Sequence, residues 1–271
     1  MSKELLHIWG PFSIQSYGLF IVIGIAIATW LLMRNPKRKS ILSSDQFSKI
    51  MTFTIFIAII GGRLLYILEE NSSIHNFWDI CKIWEGGLSS LGSIISIFVL
   101  IPLYLRYLKI PIIGFLDLAS IYAPLVEASA RIGCFFAGCC YGIKTNVPWA
   151  VVYTNPSAGA PLHTAIHPTQ IYSSLAALLA FIIMRFIFYK KLQKPGQLIA
   201  AYLMLTSMAR FGIDFLRGDR IFLTKTETLS TLSTHISIHL STSQWISLLL
   251  CTLSLVTIIL IQIISKNKIP K

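Results

Sequence analysis

Apolar positions in this chain fall in long, nearly unbroken stretches separated by short polar links. A helix needs about 20 mostly apolar residues to cross the hydrocarbon core of a bilayer. Seven stretches approach that length, at residues 17–33, 47–67, 88–108, 113–136, 170–189, 197–216 and 244–265. The fourth is the least clean, because Glu127 and Arg131 interrupt it. The links alternate in charge. Those after the first, third, fifth and seventh stretches are basic: "RNPKRK" (34–39), Arg106 with Lys109, "YKKLQK" (189–194), and Lys266, Lys268 and Lys271. The intervening links are not: 68–87 sets Lys82 against Glu69, Glu70, Asp79 and Glu85, and 137–169 holds only Lys144. Basic loops stay cytoplasmic. The pattern therefore predicts an all-α polytopic membrane protein of about seven transmembrane helices, with its N-terminus outside and its C-terminus cytoplasmic. It reads as a single membrane-embedded domain, 1–271, with outer-face segments at about 68–87, 137–169 and 217–243. Within the first of these, "IHNFWDICKIWEGG" (74–87) spaces its aromatic and apolar residues as a short interfacial helix would.

Composition agrees with that architecture. Hydrophobic residues make up 55% of the chain and charged residues 13%, about half the charged share of a soluble domain. The net charge of +12 would suggest nucleic acid in a soluble protein; here it belongs to loops facing anionic lipid. The first apolar run is long enough to span and no small-residue cleavage site follows, so no cleavable signal peptide is expected. The five cysteines are odd in number, and Cys134, Cys139 and Cys140 lack the paired C-x-x-C spacing and nearby histidine of a zinc site. They read as small apolar side chains, with neither metal nor disulfide expected.

Some charges sit where the positive-inside rule does not put them. Arg63 lies in "GGRLLYIL" (61–68), Glu127 and Arg131 in "LVEASARIG" (125–133), and Arg210, Asp214 and Arg217 in "SMARFGIDFLRGD" (207–219). All fall in the outer half of the membrane or at its outer edge. An ionisable residue in a span costs about 2.5 to 3.5 kcal/mol, and such residues mark sites. Arg210, Asp214 and Arg217 are spaced to share one helical face. Mutual neutralisation of Arg210 and Asp214 is one explanation. Four arginines against two carboxylates leave a positive surplus, however, and a planar guanidinium suits the phosphate of an anionic headgroup. Gly133 fits either helix packing or a site that admits a ligand close to the backbone. Gly138 and Gly142 read as turn residues.

Taken in order, the motifs resemble the prolipoprotein diacylglyceryl transferase family of bacterial inner-membrane enzymes. They are "SYGLFIVIGIAIATWL" (16–31), "GGRLLYIL" (61–68), "WEGGLSSLGSIIS" (84–96), "ARIGCFFAGCCYG" (130–142), "HPTQIY" (167–172), "RFGIDFLRGD" (210–219) and "STSQWISL" (241–248). The resemblance implies transfer of diacylglyceryl from phosphatidylglycerol to the lipobox cysteine thiol of a prolipoprotein, releasing glycerol 1-phosphate, at a site toward the outer leaflet. It implies no metal and no dissociable cofactor. Carried onto this chain, Arg131 binds the lipid phosphate and Arg210 is a second essential cation. Asp214 and Arg217 shape the same pocket, and Tyr17 supplies a polar contact from the first helix. Gly92 and Gly133 keep the backbone close, Arg63 and Cys134 occupy substrate-binding positions, and His167 and Gln170 organise the outer loop. Five positions depart from the family pattern: Leu91 stands where a thiol-deprotonating His is usual, Ser93 replaces Gly, Cys134 replaces Asn, Asp214 replaces Glu, and Ser173 replaces Glu. Two other readings accommodate these departures: a paralogue using another anionic lipid or acceptor, and a non-enzymatic lipid-binding or transport protein.

Overall fold

The computed structural model describes residues 4–9, 12–69, 89–221 and 240–266. Two short strands, β1 (Glu4–Trp9) and β2 (Phe12–Gln15), pair at the start. They precede α1 (Ser16–Met33), α2 (Pro36–Ile41), α3 (Ser44–Glu69), α4 (Ser90–Tyr107), α5 (Ile112–Ser120) and α6 (Ala123–Ala137). After two-residue strands β3 (Val151–Val152) and β4 (Ala165–Ile166) comes α7 (Thr169–Ile182), which continues through a π-helical turn (Ile183–Phe188) into α8 (Tyr189–Lys191). Helices α9 (Gln197–Asp214) and α10 (Thr242–Lys266) complete the chain. Each of the seven apolar stretches is helical over most of its described residues. Among the described residues, α1, α3, α10 and the continuous run 169–191 are long and apolar enough to cross a membrane, and α5 with α6 makes a fifth if the broken pair is one span.

That break departs from the continuous span expected at 113–136. Pro124 lies in the first turn of α6. It has no N–H for the Ser120 carbonyl one turn back, and its ring crowds that carbonyl, so α5 ends at Ser120. The β1–β2 pair was also not anticipated. The expected interfacial helix at 74–87, with Cys81, lies outside the described residues.

The chain forms two compact units, one built of residues 6–14 and 31–118, the other of 1–5, 15–30 and 119–271. In the first, α3 packs on α4. Reciprocal Ser43–Gln46 hydrogen bonds start α3 as a capping box. The helices touch through glycine: a Cβ on Gly92 would lie 2.3 Å from the Gly61 carbonyl oxygen. Ser93 Oγ donates to Ala58 O (2.7 Å) and the Ser89 N–H to Gly62 O (2.9 Å) across the same crossing. Gly92→Ala is therefore expected to destabilise the protein by about 1–3 kcal/mol, the range for overpacking a tight contact. A lowered thermal midpoint in detergent checks it, and an unchanged midpoint would show that the crossing yields.

In the other unit, α9 packs on α10 and α7 on both α6 and α9. Serine hydroxyls tie its helices: Ser129 Oγ donates to Phe20 O (2.5 Å) and Ser174 Oγ to Ala128 O (2.9 Å). Such bonds hold apolar helices together where burial from water supplies little driving force.

Candidate active site

Three motifs far apart in sequence meet where α6 ends. Gly138 caps α6 in the left-handed conformation (φ 73°), and Cys140 is also left-handed (φ 58°). These two residues turn the chain back toward the helix it has just left. The segment then pairs on both sides. The Gly142 N–H donates to His167 O (3.1 Å), and the His167 N–H to Ile143 O (3.0 Å). The Ile143 N–H donates to Leu216 O and the Gly218 N–H to Tyr141 O, both at 2.9 Å. The start of α7 adds side chains: Thr169 Oγ1 donates to Cys140 O and Gln170 Nε2 to Cys139 O, each at 2.7 Å. Nearby, His167 Nδ1 lies 3.2 Å from the Tyr172 hydroxyl, which also accepts from Trp149 Nε1 (2.7 Å). Tyr153 donates its hydroxyl to Phe135 O (2.8 Å), and its burial, the largest influence, pushes its pKa up to about 12. His167 and Gln170 thus hold the junction on which the cationic site rests.

The cations take two forms. Arg131 on α6 and Arg210 on α9 face a small open pocket, together with Glu127 and Ser173; Ala177, Ala180 and Ala209 give it a small-residue wall. Among the described residues each guanidinium has one ion pair, and both are long: Arg131–Glu127 and Arg210–Asp214, each 4.0 Å. At that distance neither is a hydrogen bond. Arg217 is held much more tightly. It grips Asp219 bidentately, Nε to Oδ1 at 2.8 Å and NH2 to Oδ2 at 2.7 Å, and lies 3.9 Å from Asp214. Burial, the largest influence, acts to weaken its charge, but the Asp219 bonds together with the charges of Cys140, Asp219 and Asp214 outweigh it and raise its pKa above the ordinary guanidinium value.

Asp214 is buried and accepts a hydrogen bond from Ser241 Oγ. Ser241 opens α10 through a capping box, its N–H donating to Gln244 Oε1 (2.9 Å) and its Oγ accepting from the Gln244 N–H (3.2 Å). The polar lead-in "STSQ" therefore joins the start of α10 to the charged end of α9.

The charge count changes in composition: Arg220 lies beside Arg217, donating to Phe215 O and Arg217 O, and Arg217 pairs with Asp219. The signal for that pair, an acid two residues after an arginine in "RGD", was present in the sequence but outside the helical spacing used there. Arg63 and Gly92 lie in the other unit, on α3 and α4. Arg63 stacks 5.3 Å from the Tyr66 ring, Gly92 meets Gly61, and Leu91 is exposed on α4. On α1, Tyr17 presents its backbone to Gly133, where a Cβ would lie 2.9 Å from the Tyr17 Cα. Cys134 is buried one position further along α6.

The sequence pattern of the family described as prolipoprotein diacylglyceryl transferase matches residues 3–260. The chain belongs to this family. The phosphatidylglycerol–prolipoprotein diacylglyceryl transferase of Clostridium tetani is 34% identical over 220 residues, 81% of this chain and 86% of that protein. The Thermotoga maritima protein of the same name is 30% identical over 238 residues, 86% and 80% of the two chains. Phosphatidylglycerol–prolipoprotein diacylglyceryl transferase 1 of Clostridium perfringens is 29% identical over 262 residues, 96% and 94% of the two. As a prolipoprotein diacylglyceryl transferase family member with several apolar membrane-length helices, the chain is a multi-pass membrane protein.

Proposed function

We propose that this chain transfers diacylglyceryl from phosphatidylglycerol to the lipobox cysteine thiol of a prolipoprotein signal peptide. The observation that carries the proposal is the pair Arg131 and Arg210, on different helices, facing one pocket and, among the described residues, restrained by ion pairs of 4.0 Å. Two loosely held guanidiniums suit a group whose negative charge grows during reaction. The thiolate sulphur attacks the glyceryl carbon bonded to the phosphate oxygen. The C–O bond breaks as the C–S bond forms, the electron pair leaves with glycerol 1-phosphate, and the thiol proton has already gone to the medium. Arg131 holds the phosphate and Arg210 stabilises the charge developing on it. A thiol ionises near pH 8.5, and the cationic pocket lowers that cost where Leu91 cannot act as a base.

Asp214 positions both arginines of its helix end, and Arg217, clamped by Asp219, holds the junction strand rather than the lipid. Tyr17 and Gly133 set the approach of α1 to α6, Cys134 lies one turn beyond Arg131 on α6, and His167 and Gln170 fix the outer loop. The enzyme works as one membrane-embedded domain of seven spans in the bacterial inner membrane, N-terminus outside, with its site toward the outer leaflet.

The test is thioether formation on a lipobox peptide by the purified full-length protein with phosphatidylglycerol. Lipidated peptide and glycerol 1-phosphate in equal amounts are expected. A folded, membrane-inserted protein that yields neither overturns the proposal.

A further inference from the structure

Spacing along the chain argued against a metal at the cysteines, yet folding brings three of them together. The sulphur atoms of Cys134, Cys139 and Cys140 all lie within 4.8 Å of one another, and all three are free thiols. The convergence is built by non-local structure. Cys134 is fixed on α6, while the left-handed backbone at Gly138 and Cys140 swings the other two back toward it. A residue with a Cβ adopts that conformation only where its surroundings impose it. Here Thr169 and Gln170, both fully buried, hold the carbonyls of Cys140 and Cys139.

We propose that Cys134, Cys139 and Cys140 form a binding site for one soft d10 metal cation, held by three thiolates. Thiolates bond such cations at about 2.3 Å, which places three sulphurs around one ion roughly 4 Å apart, inside the observed cluster. Soft sulphur donors select this class over hard cations that take oxygen. Binding releases the three thiol protons and leaves a net negative centre. Arg131, one turn before Cys134 on α6, supplies compensating charge. A bound ion staples the end of α6 to the turn that follows it. Ion binding at this site is read without the transfer reaction.

The experiment titrates the full-length protein, purified in detergent under reducing conditions, with Cd(II) as the probe. Thiolate-to-cadmium absorption is expected to saturate at one equivalent, with a rise in the thermal midpoint. Cys139→Ser is expected to weaken Cd(II) binding at least tenfold, and Cys251→Ser to leave it unchanged. On the wild-type protein, one equivalent of Cd(II) is expected to slow alkylation of Cys134, Cys139 and Cys140 together and not of Cys251, which keeps the test decisive even if Cys139→Ser does not fold. Absence of the absorption, its persistence in Cys139→Ser, its loss in Cys251→Ser, or unchanged alkylation of the cluster overturns the proposal.

Discussion

Replacing Arg131 with alanine is expected to slow diacylglyceryl transfer about a hundred- to a thousandfold, the usual effect of deleting one pre-placed donor to a developing oxyanion. Arg210→Ala is expected to fall in the same range. The double variant should lose less than the product of the two, because both groups serve one phosphate. The geometry makes the argument specific. Each guanidinium lines the same pocket, and each stands 4.0 Å from a carboxylate on its own helix. Among the described residues neither is spent on a tight partner, so deletion costs ligand charge rather than fold. Thermal midpoints in detergent should therefore stay near wild type while the rate of thioether formation collapses. Arg131→Lys should recover only part of the rate, since an ammonium cannot make the paired contacts of a guanidinium. Alanine variants that keep the wild-type rate would remove both residues from the mechanism. Asp219→Asn provides the contrast: it loosens Arg217, which is 10% exposed and bidentately paired, and should lower stability more than it changes chemistry.

Hydropathy located the helices because a lipid-facing helix must be apolar around most of its circumference. It placed α3 and α10 within a few residues at each end. It failed at Pro124, whose backbone effect is invisible to a hydropathy average, and at the β1–β2 pair, which lies before the first long apolar run. The charged residues were legible as a set, since charge inside a span is expensive enough to need a reason. Their division of labour was not. Arg210 and Arg217 look alike in "RFGIDFLRGD", yet one faces a pocket and the other grips Asp219. That difference arises beyond the end of α9, where helical spacing no longer applies. The cysteines show the same limit more sharply. Ligand spacing assumes a simple local turn, whereas two left-handed residues and two hydrogen bonds from α7 produced a cluster that no spacing rule describes.

Gly142→Ala is expected to be among the most damaging single-methyl substitutions in the chain. The new Cβ would lie 2.4 Å from His167 O, 2.6 Å from His167 Cβ and 2.9 Å from Leu216 O. Two of those atoms are backbone, and they belong to different segments, so neither can swing aside as a side-chain tip would. Relief requires separating strands that the Gly142, Ile143, His167 and Gly218 N–H groups hold together. Overpacking at a yielding site costs about 1–3 kcal/mol; a clash between two backbones should reach the top of that range or exceed it. The effect should extend to chemistry, because the same strand pairs with Arg217, which lies 3.9 Å from Asp214, itself 4.0 Å from Arg210. A fall in thermal midpoint accompanied by loss of thioether formation is the expected pattern. Gly212→Ala, where a Cβ meets no atom within 4 Å, should leave both near wild type despite standing two residues from Arg210. A normal midpoint for Gly142→Ala would mean that the three-segment junction is soft, and that the arginines are positioned by their helices alone.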